Sequence, residues 1–304
     1  MNFASPVNGW ICLDKPSGIS SNLAMVKVRK MLGRNTGYVG TLDPFATGVL
    51  PIAVGEARKF IRYVEDGEKE YVFTALFGVA TDTLDRDGRI TATTSKIPDK
   101  NDVAAIIAEF CGEIEQTPPV FSAIKVGGRR ACDMARAGKD PKLPSRKIQI
   151  HSLRILEDNM RHREMTIAVS CSRGTYIRRL ATDMAERLGS LCHLKELRRI
   201  KSGFFSIDDS IPLEKLMKIV DTDRTVGVLV PTEGPLGCVP SLSLDRDQLV
   251  RLGNGLEVDA LSPSGSPSLV RLLWGKSGAF CGVGVVSGEG RLRLSRMFLA
   301  GWEL

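Results

Sequence analysis

GYVGTLDPFATGVLP, residues 37–51, interrupts a chain that is otherwise patterned for helices and strands. Its three glycines, two prolines, two threonines and single aspartate read as loop and turn over most of its length. On its N-terminal side, residues 9–14 read as a short strand ending at the turn Lys15-Pro16-Ser17-Gly18. Ser20 or Ser21 then caps a helix reaching Leu32, with Ala24, Val28 and Met31 on one face and Gly33 as its stop. On its C-terminal side, Ala57, Phe60, Ile61 and Val64 fall at i, i+3, i+4 and i+7, the spacing of an amphipathic helix. The next strand, 69–78, puts Tyr71, Phe73, Ala75 and Phe77 on one face.

Working outward, Val103, Ile106, Ile107 and Phe110 mark another helix, and strands follow near 147–156 and 163–172. A longer helix over 175–188 turns Ile177, Leu180, Ala181, Met184 and Leu188 inward, and Gly189 ends it. Pro212 opens one more, marked by Leu213, Leu216, Met217 and Val220. Helices and strands do not alternate regularly, so the class is α+β rather than a repeated βαβ array. At 304 residues the chain exceeds what one core usually supports. Composition changes near Pro231–Pro240, which reads as a linker. Beyond it lie a short helix (245–252) and strands at 268–274, 279–286 and 291–299. The expected division is 1–235 and 236–304, the second part small and β-rich.

The formal charge is +7, which favours polyanionic partners. Its placement says more. Residues 125–147 hold Lys125, Arg129, Arg130, Arg136, Lys139, Lys142, Arg146 and Lys147 against Asp133 and Asp140. With little periodicity beyond a helical turn near 129–137, this stretch reads as a protruding basic insertion, or else as a solvated loop. Seven scattered cysteines without a C-x-x-C pair speak against a disulfide framework and a zinc site. The three histidines have no ligand-like spacing, and no metal is expected. No secretory leader or membrane-length apolar run is evident, so a cytoplasmic location is expected.

Asp43 before Pro44 reads either as the cap of an ordinary turn or as a rigidly held carboxylate suited to nucleophilic work. Arg178 falls in the first turn of a helix, where the macrodipole disfavours a cation. It is either a tolerated surface residue or the bidentate partner of a carboxylate elsewhere. Tyr71 is either a core aromatic or a platform on which a base stacks.

VGTLDPFATGVLP at 39–51 resembles the signature of TruB-type pseudouridine synthases, in which the Asp of G-T-L-D-P is catalytic. Further landmarks stand in the family's order: Leu13-Asp14-Lys15-Pro16, Glu70-Tyr71, Thr81-Asp82-Thr83 with Asp85 and Gly88, Pro118-Pro119 through Val126, Gly174-Thr175-Tyr176-Ile177-Arg178 and Leu197-Arg198-Arg199. Together they span about 10–205. The C-terminal part resembles a PUA-type RNA-binding domain through RLGNGLEV (251–258) and GVGVVSGEGRLRLSRMF (282–298).

The resemblance implies a mixed, mainly antiparallel sheet with flanking helices, and isomerisation of uridine 55 in the T-loop of tRNA after base flipping. It implies Asp43, Tyr71 and Arg178 as catalytic residues, and Lys15, Tyr38, Tyr176 and Leu197 as substrate-binding. Lys15 would contact the RNA backbone or support the active-site loop. Lys125, Arg129, Arg130, Lys139, Lys142, Arg146 and Lys147 would grip the T-arm and elbow, and the PUA-like part the acceptor end. No cofactor, membrane or obligatory protein partner is implied. Tyr38 stands where the family usually has His, and a tRNA-folding factor with secondary isomerase activity is the alternative reading.

Overall fold

The structure is a computed structural model and describes residues 7–64, 67–219, 227–260, 267–275 and 277–299. Val220 and residues 1–6, on which two of the expectations above bear, lie outside them.

The chain runs β1 (Gly9–Lys15), α1 (Ser21–Leu32), β2 (Thr36–Tyr38), β3 (Thr47–Val54), a 3-10 stretch (Gly55–Phe60), α2 (Ile61–Val64) and β4 (Lys69–Phe77). The hairpin β5–β6 (Val79–Thr81, Ile90–Thr93), α3 (Lys100–Ile106) and β7 (Gly112–Gln116) follow. The basic insertion holds the hairpin β8–β9 (Lys125–Val126, Arg129–Arg130) and α4 (Ala131–Arg136). Then come β10 (Arg146–Asn159), β11 (Glu164–Cys171), α5 (Ile177–Arg187), β12 (Cys192–Ser202), β13 (Phe205–Ser206), β14 (Ile211–Pro212) and α6 (Leu213–Ile219). The C-terminal part comprises β15 (Ser241–Leu244), α7 (Arg246–Gly253), β16 (Val258–Asp259), β17 (Ser268–Trp274), β18 (Phe280–Val286) and β19 (Arg291–Met297).

The main sheet has the order β14-β1-β3-β12-β4-β11-β10-β7, with β2 and β13 attached to β3 and β12. Its pairs are antiparallel except β1–β14 and β3–β12, which is the mixed, mainly antiparallel α+β fold expected. β15-β17-β18-β19-β16 form a second sheet.

Two local expectations need correction. The stretch 37–51 is not loop throughout, because β2 reaches Tyr38 and β3 begins at Thr47, leaving a connection of eight residues between Tyr38 and Thr47. Pro51 is tolerated inside β3 because its carbonyl, which accepts the Val39 N–H, faces the side where β2 ends. Its missing N–H therefore costs the β1–β3 ladder nothing. The helix expected over 57–64 is a 3-10 stretch followed by one α turn, although Ala57, Phe60 and Val64 are buried as the pattern requires.

One face of the main sheet carries a core built from Ile11, Leu50, Phe73, Ile167 and Leu194 with α1 and α5 laid over it. α1 is capped as expected: Ser20 Oγ accepts the Leu23 N–H, and Gly33 ends the helix at φ 60°. On the other face Trp10, Phe60 and Phe205 form a second core that includes Phe280 and Val283 of the C-terminal sheet. The linker-like stretch packs here too, with Trp10 Nε1 donating to the Thr232 carbonyl and Leu236 buried.

Candidate active site

Residues 39–46 form a loop pinned from three directions. The Ser21 hydroxyl, on the first turn of α1, donates to the Leu42 carbonyl at 2.9 Å and accepts the Leu42 N–H at 2.8 Å. From β1, the fully buried Lys15 ammonium donates to the carbonyls of Pro16, Ile19 and Pro44. Ser17 Oγ donates to the Phe45 carbonyl. Lys15 therefore supports the loop and is out of reach of an RNA backbone, because its charge is spent on buried carbonyls. Burial pulls its pKa down to about 8, against the attraction of Asp43.

The loop presents Asp43, whose side chain keeps 30% exposure, to Arg178 on the first turn of α5, which keeps 3%. Arg178 Nε lies 2.8 Å from Asp43 Oδ2, and Nη2 donates to Oδ1 at 3.0 Å. Two guanidinium nitrogens thus face the two carboxylate oxygens, Nη2 through a hydrogen bond and Nε as a close ion-pair contact, which fixes the carboxylate in direction as well as charge. The guanidinium is held in turn by the carbonyls of Thr83 and Phe121 and by Asp85 Oδ2 at 3.5 Å. Burial raises the Asp43 pKa above the ordinary carboxylate range. Arg178 and Lys15 oppose that, while the Asp85 charge adds to it.

Asp85 carries little signal in the sequence beyond belonging to a motif, yet it is 6% exposed and carefully held. It accepts Thr83 Oγ1–H at 2.6 Å and the Asp87 N–H at 3.1 Å. Leu84 sits at φ 62° to make this turn, a conformation costly for a branched side chain. Gln116, on β7, is a second residue that sequence reasoning misses. Its amide spans the backbone of Tyr176, donating to the carbonyl and accepting the N–H, and so sets where α5 starts. A lone Gln in a strand offers no pattern by which to find it.

Tyr71 lies on β4 on the same face as Phe73 and is 7% exposed. Burial raises the pKa of its phenol, with the Arg199 guanidinium acting the other way. Leu197, on β12 opposite Phe73, is 6% exposed and packs in the same core. A groove of about 640 Å³ opens beside the loop, lined among others by Phe45, Thr47, Arg86, Leu197 and Arg198. Tyr38 is half-buried against the main core, paired with Ile52 of β3.

In the insertion, Lys125, Arg129, Arg130, Lys139 and Lys142 are exposed. Arg146 and Lys147 are not part of the protrusion, because β10 begins at Arg146. Arg146 donates to the Gly174 carbonyl and lies 4.9 Å over the Tyr176 ring, and Lys147 pairs with Glu113 at 2.7 Å.

Comparison with known proteins agrees with this architecture. The model of the TruB family pseudouridylate synthase N-terminal domain matches residues 28–177. The tRNA pseudouridylate synthase B C-terminal domain matches 178–236, and the pseudouridine synthase II TruB C-terminal model matches 240–298. A protein named tRNA pseudouridine synthase B from Zymomonas mobilis is 41% identical over 255 residues, covering 82% of this chain and 84% of its own. Its namesake from Novosphingobium aromaticivorans is 41% identical over 305 residues, covering 96% and 97%. Among solved structures, a Cbf5-Nop10-Gar1 complex superposes with a TM-score of 0.73 at 23% identity, over 95% of this chain and 84% of the other. The archaeal box H/ACA sRNP Nop10-Cbf5 complex gives 0.71 at 22%, over 97% and 88%. At that identity the shared property is the fold.

Proposed function

Since the chain belongs to the TruB family and is a tRNA pseudouridine synthase, we propose that its target is uridine 55 of the T-loop and that Asp43 is the essential catalytic carboxylate. The isomerisation breaks the bond from C1′ to N1 of the base, forms one from C1′ to C5, moves a proton off C5 and returns one to N1. No redox equivalent or activated group enters that balance. A uridine stacked in a loop is beyond reach of a side chain, so the base is flipped, at about a few kcal/mol of lost stacking. Asp43 then works in its ionised form close to the glycosidic carbon or C6. Arg178 holds it charged and aimed, Tyr71 stacks on the uracil and receives the C5 proton directly or through water, and Leu197 closes the other side.

The observation that carries this reading is the two-point pairing of Arg178 with a carboxylate that stays partly open at the end of a pinned loop. A surface Arg beside a turn Asp has no need of a guanidinium held at 3% exposure by two backbone carbonyls.

The same proposal gives the exposed cations of the insertion the phosphates of the T-arm and elbow. It gives residues 236–304 the part of a PUA-like domain on the acceptor end. Tritium release from tRNA transcript labelled at uridine C5 tests it. Asp43→Asn is expected to abolish release while tRNA affinity stays within a few-fold, because Asn keeps the size and loses the charge. Release within about tenfold of wild type would sink the assignment of Asp43. A wild-type protein that binds tRNA without releasing tritium would instead mark a folding factor.

A further inference from the structure

Arg199 is among the largest fully buried side chains, with no exposed surface, and the chemistry above assigns it nothing. It stands at a short parallel seam of the main sheet. β3 and β12 run parallel there and pair over two residues, Thr47 with Arg198 and Gly48 with Arg199. The Arg199 guanidinium spans this seam. Its Nε donates to the Val49 carbonyl at 2.7 Å and its Nη2 to the Gly40 carbonyl at 2.9 Å.

Both glycines that bracket the Asp43 loop are shaped around this residue. Gly48 is at φ 101°, and a Cβ there would run into the Arg199 carbonyl. Gly40 is at φ 67°, and its Cβ would stand 3.0 Å from Arg199 Nη1. Nη1 itself finds no partner in good hydrogen-bond geometry among the described residues. A buried donor left so is costly unless something takes it up. Arg199 pairs across the sheet with Tyr71, so both side chains leave on the same face, and the Tyr71 hydroxyl feels the guanidinium charge.

We propose that Arg199 is a positioning residue, which offers Nη1 to the Tyr71 phenol oxygen and ties that oxygen to the Gly40 end of the Asp43 loop. One guanidinium thereby sets the distance between the residue that stacks on the uracil and the loop that carries Asp43. With Nη1 donating to it, the phenol oxygen keeps its other lone pair for the substrate side. This rests on the role given above to Tyr71 as the base-stacking residue.

A double-mutant cycle of Arg199→Lys and Tyr71→Phe on tRNA transcript tests it. Lysine keeps the charge and loses the forked geometry. Arg199→Lys is expected to lower kcat roughly ten- to hundredfold with KM nearly unchanged. In the Tyr71→Phe background the same change should cost less than about threefold, because the oxygen it positions is gone. Multiplicative effects, or a rise in KM alone, would overturn the proposal. If Arg199→Lys does not fold, the melting temperature of Tyr71→Phe decides. Loss of the phenol should orphan Nη1 and lower the Tm by about 2–4 °C, whereas an unchanged Tm rejects the contact. That measurement needs no turnover, so it stands apart from a failure of the synthase reading itself.

Discussion

Asp43 stands in surroundings that disfavour its charge, and its pH behaviour should show this. Burial raises its pKa, so as pH falls the carboxylate takes up its proton earlier than a solvated one would. On the proposed mechanism turnover needs the ionised form. The acid limb of kcat/KM is therefore expected above the ordinary carboxylate value of 3.8. Arg178 acts to lower that pKa, and Arg178→Lys loses the Nη2 hydrogen bond and the Nε contact, so the limb should move to higher pH. A limb that stays put, or moves down, would contradict the arrangement. Tyr38 is the other residue-scale test. Stacking needs an aromatic face rather than a titratable group, so Tyr38→His should be nearly neutral. Tyr38→Ala should slow turnover by a stacking loss of about 1–3 kcal/mol. A large gain on Tyr38→His with a new inflection near the His value of about 6.5 would overturn that. Tyr38 also packs on the core, so the Tm of each variant should be read alongside its rate.

At the scale of the element, α1 and the insertion do different work. α1 carries Ser21, which binds both polar groups of the Leu42 backbone, so the loop is only as well placed as the helix. Removing the cap with Ser20→Ala should cost about 1 kcal/mol in urea unfolding. The insertion offers exposed cations rather than packing. Neutralising Arg129, Arg130, Lys139 and Lys142 together should weaken tRNA binding. The slope of log affinity against log salt should fall by roughly 0.7–0.9 for each phosphate that is no longer neutralised. An unchanged slope would make the insertion a solvated loop. Arg146 and Lys147 belong outside that set, since both already have partners, Arg146 in the turn before α5 and Lys147 on β7.

The molecule as a whole is joined through its second core. Phe60, from the 3-10 stretch, lies 5.3 Å ring to ring from Phe280 of β18, and Phe280 lies 5.6 Å from Phe298. Tyr63 and Ser295 share a hydrogen bond at 2.8 Å across the same boundary. Phe280→Ala should therefore destabilise by about 3–5 kcal/mol. Because the Phe280 ring packs against both sheets, calorimetry should show the whole transition shifting. A shift confined to a separate, minor transition would show that the C-terminal sheet unfolds on its own.

The amino-acid sequence by itself determined the parts governed by short-range rules. Strict alternation placed β4, with Tyr71 and Phe73 on the buried face. Ser20 and Gly33 set the ends of α1, and a motif of short residues around Asp43 marked the loop of the candidate site. β12 escaped, although it is central and joins both halves of the sheet. It is rich in charge, and shifts of register between Leu194 and Glu196 and between Arg199 and Lys201 break the period of two by which a strand is recognised. The start of β3 escaped because Gly48 and Pro51 look like turn residues, when one makes room for the Arg199 backbone and the other faces a strand end. The environments of Arg178, Asp85, Gln116 and Arg199 are set by partners that mostly lie far away in sequence. Asp43 meets an arginine 135 residues on, and the Gly40 carbonyl meets one 159 residues on. Whether such a charge is buried and held, or merely solvated, depends on which backbone groups surround it, and only the folded sheet brings those groups together.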